Sequence, residues 1–244
     1  MERGRETDMQ TWQKSSASRR QLSLKMPTYV ITGASAGIGL EMTKQLAARG
    51  DTVYALVRTE SDALAAIAKE AGDKVKVLTG MDVAKDDVGA KLTEALAGVP
   101  IDVLVNNAGG ATGQKTSPDW DTKALFASQK FDQLSMEDMR NCFELNTLGP
   151  IRVTQALLPQ VKENGGKVII ISTQMGSIAD NTSGGMQAYR ASKAAVNMVG
   201  KGLSVELKDK GIAVGLVHPG FVATAFCGKA CDCVALFSKS QSPM

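Results

Sequence analysis

Short apolar runs alternate with segments of helical periodicity from residue 29 onward. The runs are rich in Val, Ile and Leu, and they fall at residues 29–31, 52–57, 75–78, 101–105, 167–171 and 212–217. An apolar run without polar alternation is typical of a strand covered on both faces, as in a parallel sheet with helices above and below. The pattern therefore predicts six strands.

The segments between the runs predict the crossover helices of a doubly wound α/β fold. Apolar residues recur at helical spacing from Ile38 to Leu46, and Gly50 follows as a stop signal. A second apolar stripe over residues 189–207 predicts a long buried helix. The alternation indicates one Rossmann domain with a parallel sheet.

A third helix carries signals for both its start and a bend. Ser135, with Asp138 three residues on, resembles a capping box that opens a helix continuing past Phe143. Pro150 lies inside the helical pattern, and a proline there lacks the main-chain donor and crowds the preceding turn. We expect a bend near Asn146.

A glycine-rich turn joins the first strand to the first helix. Gly33, Gly37 and Gly39 have the spacing G-x-x-x-G-x-G, which differs from the dinucleotide-binding spacing G-x-G-x-x-G. Gly33 permits the tight turn, Gly37 lets the backbone approach a pyrophosphate, and Gly39 allows close helix packing. The N–H groups of the helix N-terminus then face the negative charge. Glycines also serve purely structural turns, but this position favours nucleotide binding.

Tyr189 and Lys193 lie four residues apart in the long predicted helix, so their side chains share a face. A free tyrosine has a pKa of about 10, and a neighbouring ammonium favours the phenolate and lowers that pKa toward neutrality. Such a phenol is a general acid for carbonyl reduction or a base for alcohol oxidation. Tyr-x-x-x-Lys pairs also occur on helix surfaces without function, so the context decides.

Separated motifs follow one another in a fixed order over residues 26–224. The motifs are Thr32 to Gly39, Asp82-Val83, Asn106-Asn107-Ala108-Gly109, Asn146, Tyr189-x-x-x-Lys193 and Pro219-Gly220. In these motifs and their order the chain resembles the short-chain dehydrogenase/reductase family in its compact single-domain form. The segments 175–181 and 184–193 look most similar to the C-factor-like and Sniffer-like carbonyl reductases of that family.

The resemblance implies a catalytic set. Lys193 would also bind the nicotinamide ribose hydroxyls, and Asn146 would hold a water that extends a proton relay. The carbonyl-orienting hydroxyl in the family is the second of two serines, and the pair here is Ser172-Thr173. Thr173 takes the role if the register holds, since its hydroxyl offers the same donor and acceptors, and Ser172 takes it if the register shifts.

The resemblance also implies a cofactor cleft, with Val222 and Thr224 against the carboxamide. The implied cofactor-binding positions are Gly33, Ser35, Gly37, Ile38, Gly39, Arg58, Asp82, Val83, Asn106, Ala108, Gly109, Tyr189, Lys193, Pro219, Gly220, Val222 and Thr224.

The end of the second strand predicts NADP(H) rather than NAD(H). NAD-selective relatives place an acidic residue there to bind the ribose 2′-hydroxyl, but this chain has Val57 followed by Arg58. A guanidinium without a carboxylate favours a 2′-phosphate, with Ser35 as a helper. An exposed loop charge is the alternative for Arg58, and Ala36, where many NADP-dependent relatives have a basic residue, argues for NAD(H).

Residues 1–25 differ in composition from the rest and predict a disordered leader before a domain at residues 26–226. They carry six basic and three acidic residues, and the remaining residues carry 22 of each sign, which argues against nucleic-acid binding. The lack of acidic residues between Met9 and Lys25 is typical of an organellar transit peptide, but the acidic residues before Met9 are not. We expect a cytoplasmic protein, with organellar targeting as the alternative. No apolar stretch suits a membrane span.

The C-terminal segment departs from the family. Only 24 residues follow Gly220, whereas relatives continue with a substrate-covering helix, a crossover helix and a final strand. We expect an irregular tail at residues 227–244 and no final strand. Because that strand often lies at a dimer interface in relatives, its lack argues against a homo-oligomer, which stays the alternative. Cys227, Cys231 and Cys233 have a spacing that could bind a metal with His218, but free thiols and a structural histidine are the favoured interpretation, so no metal is expected.

Two functions of different classes follow. The first is a carbonyl reductase whose small-molecule substrate pocket is shaped by the insertion between Gly109 and Ser135. The second is a nucleotide-binding protein without turnover, in which the short C-terminal segment leaves no substrate pocket. An isomerase or dehydratase usually carries a larger substrate domain. The presence of Tyr189, Lys193 and Asn146 favours the reductase.

Overall fold

The computed structural model describes residues 26–111, 127–220, 222 and 224. These residues form a parallel six-stranded sheet in the order β3-β2-β1-β4-β5-β6. The order reverses between β1 and β4, which confirms the doubly wound α/β fold and opens a crevice at the carboxyl ends of the strands. The strands are β1 (Thr28–Thr32), β2 (Thr52–Leu56), β3 (Val75–Leu78), β4 (Val103–Asn106), β5 (Lys167–Ile171) and β6 (Ala213–Val217).

All six predicted strands are present, with differences at their ends. β4 begins at Val103 instead of residue 101, because Ile101 makes only an isolated bridge to Val161. β2 ends at Leu56, one residue before its run does, although the main-chain nitrogen of Val57 still bonds to the oxygen of Leu78. Apolar runs predict burial, and the hydrogen bonds that define a strand can begin or end one or two residues away from them, as in β1, which extends past its run at both ends.

Helices cover both faces of the sheet, and two apolar clusters fill the space between the layers. Val30 and Ile31, adjacent in β1, lie in different clusters because successive side chains of a strand point to opposite faces. This explains the continuous apolar runs. The helices are α1 (Gly37–Ala48), α2 (Asp62–Ala71), α3 (Val88–Ala95), α4 (Met136–Phe143), α5 (Gly149–Leu157) and α6 (Gln187–Glu206).

The helical segment that starts after Ser135 is interrupted. The Oγ of Ser135 accepts hydrogen bonds from the main-chain nitrogens of Glu137 and Asp138 over 3.1 and 3.3 Å, so Ser135 caps α4 as predicted. A π-helical turn (Glu144–Leu148) separates α4 from α5. The regular helix is therefore interrupted at Asn146, where the bend was predicted, and π turns are a known cause of helix bends. Pro150 is tolerated because it lies in the first turn of α5, where a missing N–H costs little.

Several predictions fall on residues that the structure does not describe. The leader (1–25), most of the insertion (112–126) and the tail (227–244), with its three cysteines, lie outside the described residues. Within the described part of the chain, no group of three or more His, Cys, Asp and Glu side chains is placed to hold a metal ion. No helix there combines the length and apolarity needed to cross a membrane.

Candidate active site

The glycine-rich turn lies where β1 passes into α1, and two of its glycines have no room for a side chain. Gly33 has a positive φ of 68°, and a β-carbon there would lie 2.9 Å from the α-carbon of Ala108. A β-carbon on Gly39 would lie 2.4 Å from the main-chain oxygen of Gly33. These contacts agree with the tight turn and close packing expected of Gly33 and Gly39.

The N-terminus of α1 faces the crevice with its main-chain donors available to an anion. The first N–H groups of a helix have no acceptor within the helix. Ala36 precedes α1 in an extended conformation and supplies no side-chain cap, and the first turn has no acidic residue. Gly37 and Ile38 open this turn, and both residues are half-buried. The arrangement suits a pyrophosphate group.

Thr32 and Asn107 connect the glycine-rich turn to the loop after β4. The Oγ1 of Thr32 accepts hydrogen bonds from the main-chain nitrogens of Asn107 and Ala108, each over 3.0 Å. The Nδ2 of Asn107 donates to the main-chain oxygens of Thr32 and Gly33 over 2.9 and 3.2 Å. Both residues belong to the predicted motifs, but the sequence assigned neither of them a role. Asn107 was recognisable as a candidate because it directly follows β4.

The segment after β6 returns to the glycine-rich turn. A β-carbon on Gly37 would lie 3.3 Å from Cγ2 of Thr224, so Thr224 sits against the turn. Gly220 has a positive φ of 75°, and Pro219 before it is half-buried. Val222 remains exposed. The predicted Pro-Gly motif therefore lies at the same crevice as the predicted phosphate-binding turn.

Ser35 and Arg58 lie in two loops that Ser61 holds together. The Oγ of Ser61 donates to the main-chain oxygen of Ser35 over 2.7 Å and accepts from the main-chain nitrogen of Leu64 as the cap of α2. The side chain of Arg58 is exposed, and its main-chain oxygen accepts from Gly80 over 3.0 Å. Ser61 was missed in the sequence, although a serine before a helix is a common capping signal.

Three predicted cofactor-contacting positions have side chains committed elsewhere. The side chain of Val83 is buried and packs near Gly149, and Nδ2 of the buried Asn106 donates to Oγ1 of Thr154 over 3.0 Å. Oδ1 of Asp82 accepts from the main-chain nitrogen of Ala84. Cofactor contacts from Val83 and Asn106 are therefore left to their main-chain atoms, because their side chains face the core.

Lys193 is buried at the carboxyl end of β5. Its Nζ donates to the main-chain oxygen of Ile171 over 2.8 Å, and a β-carbon on Gly109 would lie 3.3 Å from that Nζ. Burial lowers the pKa of Lys193 to about 8, because removal from water disfavours the ammonium, and the nearby thiol of Cys142 raises it by a smaller amount. Lys193 therefore points into the crevice, beside the loop that follows β4.

Tyr189 lies one turn before Lys193 on α6, and the two side chains share a face as predicted. The Nζ of Lys193 is 5.9 Å from the centre of the Tyr189 ring. The ring is 9% exposed and packs in a small apolar cluster with Ala111, Met186 and Met175. The structure thus places the predicted acid and its ammonium partner at the same edge of the sheet.

The buried side chain of Asn146 fixes the loop after β4 to α6. Its Oδ1 accepts from the main-chain nitrogen of Gly110 over 2.9 Å. Its Nδ2 donates to the oxygen of Gly110 over 2.7 Å and to Oγ of Ser192 over 3.0 Å. The carbonyl of Asn146 cannot receive the usual α-helical hydrogen bond from position 150, because Pro150 has no N–H.

Ser172 and Thr173 follow β5 and have different partners. The buried Oγ of Ser172 donates to Oδ1 of Asn197 over 2.5 Å. The Oγ1 of the half-buried Thr173 accepts from the main-chain nitrogen of Met175 over 3.2 Å and caps a short 3₁₀ turn (Gln174–Gly176). The hydroxyl hydrogen of Ser172 is thus bonded to Asn197 of α6, whereas the hydroxyl oxygen of Thr173 accepts its hydrogen bond from Met175.

A cavity of about 400 Å³ opens beside these two residues, at the carboxyl ends of β5 and β6. Thr173 and His218 both line this cavity, and His218 is exposed. The cavity is lined by Ser172, Thr173, Gln174, Asn197, Leu216 and His218.

The sequence matches the family described as short chain dehydrogenase over residues 27–232. The chain belongs to this family. It is 36% identical over 203 residues to 1-hydroxy-2-glutathionyl-2-methyl-3-butene dehydrogenase of Rhodococcus sp. (strain AD45), covering 82% of this chain and 79% of that one. Membership confirms the predicted resemblance, makes the chain an oxidoreductase and supports a nicotinamide cofactor.

The chain is also similar to a second relative and to a solved structure. C-signal of Myxococcus xanthus is 39% identical over 126 residues, covering 51% of this chain and 68% of that protein, which supports in part the similarity to C-factor-like proteins. The crystal structure of a carbonyl reductase from Pseudomonas aeruginosa PAO1 in complex with NADP superposes with a TM-score of 0.69 at 32% identity, covering 81% of this chain and 84% of that one.

Proposed function

We propose that the protein is an NADPH-dependent carbonyl reductase in which Tyr189 is the general acid for reduction and the base for alcohol oxidation. The observation that carries the proposal is the buried ammonium of Lys193, which lies 5.9 Å from the Tyr189 ring and beside Gly109 at the crevice. The substrate is a small molecule with a carbonyl group. When bound, the nicotinamide supplies the hydride.

The crevice fits a dinucleotide. The backbone packs so closely at Gly33 and Gly39 that no side chain would fit there. The α1 N-terminus offers uncapped main-chain donors to a pyrophosphate. Thr224 lies against Gly37 at the same place. Gly109 leaves the space beside Lys193 open, where the nicotinamide ribose hydroxyls would lie.

Tyr189 and Lys193 act together on the proton. The Tyr189 hydroxyl donates to the carbonyl oxygen of the substrate as that oxygen gains negative charge. The ammonium of Lys193 stabilises the resulting phenolate, and its bond to Ile171 holds it in place during the transfer. Protonated Lys193 thus lowers the free-energy cost of the proton transfer from Tyr189.

Two further groups complete the set. The hydroxyl of Thr173 donates to the carbonyl oxygen and orients it, because Ser172 already donates to Asn197. A water held by the main-chain oxygen of Asn146 restores the proton of Tyr189 through Lys193. Pro150 supports this role because it leaves that oxygen without its usual helical donor.

NADP(H) is the proposed cofactor. Arg58 is exposed at the end of β2, and its loop is held to Ser35 by Ser61, so a guanidinium and a short hydroxyl lie close to where a 2′-phosphate would sit. The related carbonyl reductase of Pseudomonas aeruginosa PAO1 was solved in complex with NADP.

The proposal is tested by following NADPH absorbance with a panel of aldehydes, ketones and quinones. We expect wild type to reduce some of them and Tyr189→Phe to be slower by about 10²- to 10⁴-fold, the range typical of general acid catalysis. Tyr29→Phe is the matched control, since Tyr29 lies on β1 and bonds to Arg49. NADPH binding without turnover of any substrate by wild type would show a nucleotide-binding protein instead of a reductase.

A further inference from the structure

The first turn of α6 receives its acceptors from a distant segment. Met186 precedes α6 in a left-handed conformation with φ of 50° and supplies no side-chain cap. The main-chain nitrogen of Gln187 instead donates to the main-chain oxygen of Gln129 over 3.2 Å. The main-chain nitrogen of Tyr189 donates to Oε1 of the same Gln129, also over 3.2 Å. Gln129 therefore caps the catalytic helix from 60 positions away.

The side chain of Gln129 also reaches the loop after β4. It is 0% exposed, and its Nε2 donates to the main-chain oxygen of Ala111. Sγ of Cys142 donates to the same oxygen over 2.9 Å. Because Oε1 faces a donor and Nε2 faces an acceptor, reversing the amide would place like groups together at both ends. The amide is thus held in one orientation.

The bonds of Gln129 and Lys193 fix α6 at two points, four residues apart. Lys193 is bonded to Ile171 at the end of β5, and Tyr189 is bonded through its main chain to Gln129. A substitution of Gln129 would remove the side-chain acceptor of the Tyr189 N–H and the donor to Ala111, while the main-chain acceptor of Gln187 would remain. A helix terminus with an unpaired N–H frays. Tyr189 would then move relative to Lys193, while the glycine-rich turn, in the other half of the sheet, would keep its shape.

We propose that Gln129 is a positioning residue that holds Tyr189 at a fixed height over the crevice. This inference rests on the proposed function, because it assigns Gln129 a role in presenting the proton donor. It also explains how the segment after the insertion serves the reaction. Gln129 has no exposed surface through which to touch the substrate, so it acts only through α6 and the loop that contains Ala111.

The kinetic test compares Gln129→Met with Gln133→Met. Methionine matches glutamine in length but makes no hydrogen bonds of this kind, and Gln133 is an exposed glutamine of the same segment. We expect kcat of Gln129→Met to fall by at least about tenfold, since small displacements of a reacting group are costly. The Kd for NADPH, measured by fluorescence, should stay within about twofold, and the control should match wild type. An unchanged kcat, or equal losses in kcat and NADPH affinity, would overturn the proposal.

A second measurement does not depend on turnover. Hydrogen exchange of the full chain, read by mass spectrometry, should show the α6 amides at 187–192 protected in wild type and exchanging at least about tenfold faster in Gln129→Met, as expected for local opening. The peptide at 196–206 should be unchanged. Rapid exchange at 187–192 in wild type overturns the positioning role even if the variant does not fold. A wild type without reductase activity defeats the proposed function alone.

Discussion

Lys193 donates from Nζ to the main-chain oxygen of Ile171 over 2.8 Å, so an ammonium group is held at the carboxyl end of β5. A main-chain oxygen carries only a partial negative charge, and it does not offset the loss of water around a buried cation. The pKa of Lys193 is consequently lowered to about 8, mainly by burial. The group that we propose stabilises the phenolate is therefore itself close to losing its proton.

We expect the rate of carbonyl reduction to fall as the pH rises through about 8. Below this value Lys193 is protonated and favours the phenolate of Tyr189, and above it the neutral amine gives no such support. Lys193→Arg retains a charge at all accessible pH values and should move this decline to higher pH, with a lower maximum rate because the larger group fits less well. The measurement is the initial rate of NADPH oxidation from pH 6 to 10. A decline at the same pH in Lys193→Arg would assign it to another group.

We expect Thr173→Val to lower kcat by about 10²- to 10³-fold, the usual effect of removing one donor to a developing oxyanion. The change preserves the shape of the side chain and removes only the hydroxyl. Thr173→Ser should keep most of the activity, and Ser172→Ala should change kcat by less than about threefold. Ser172→Ala should lower the free energy of unfolding by about 1 kcal/mol through its lost bond to Asn197. The opposite pattern would give the orienting role to Ser172.

Arg58→Ala is expected to weaken NADPH binding by about 10- to 100-fold, which corresponds to the loss of a charged hydrogen bond. NADH binding should be unaffected, because NADH lacks the 2′-phosphate. Lys44→Ala, at an exposed position of α1, controls for the general loss of a positive charge. Titration of each protein with both cofactors, read by nucleotide fluorescence, measures the change. Equal losses for NADPH and NADH would show that Arg58 does not select the cofactor.

Gly39→Ala should lower the free energy of unfolding by about 1–3 kcal/mol and weaken NADPH binding, because forced overpacking shifts the backbone. The new β-carbon would lie 2.4 Å from the oxygen of Gly33 and 2.5 Å from Nδ2 of Asn107. Gly202→Ala is the control, since no atom lies within 4 Å of a β-carbon there and alanine favours the helix. Chemical denaturation compares the two variants. Equal stability of Gly39→Ala and wild type would contradict the steric account.

The strands and the first helix were predictable because their signals are local. Continuous apolar runs indicate strands that are buried on both faces. A proline inside a helical pattern, such as Pro150, indicates a bend. The form of that bend was not predictable, since a π turn at Glu144–Leu148 depends on how α4 and α5 pack. Sequence could place the bend but not its hydrogen bonds.

Contacts between distant segments were the part that sequence could not supply. Gln129 bonds to the main chain of Tyr189, and Thr32 bonds to Asn107 and Ala108, 75 and 76 positions on. Each pairing exists only because the sheet order brings these segments together. Ser172 and Thr173 were left as alternatives for the same reason. Adjacent side chains at the end of a strand point to opposite faces, and the sequence does not say which of the two faces the crevice.

The reversal of the sheet between β1 and β4 separates two kinds of specificity. Ser35 and Arg58, which we propose choose the nucleotide, follow strands on one side of the reversal, and Tyr189 and Lys193 lie in the helix between the last two strands on the other. None of the hydrogen bonds described above joins the two groups, so the free-energy effects of substitutions in them should add. The enzyme's cofactor preference and its chemistry can accordingly diverge in evolution, or be redesigned, one at a time.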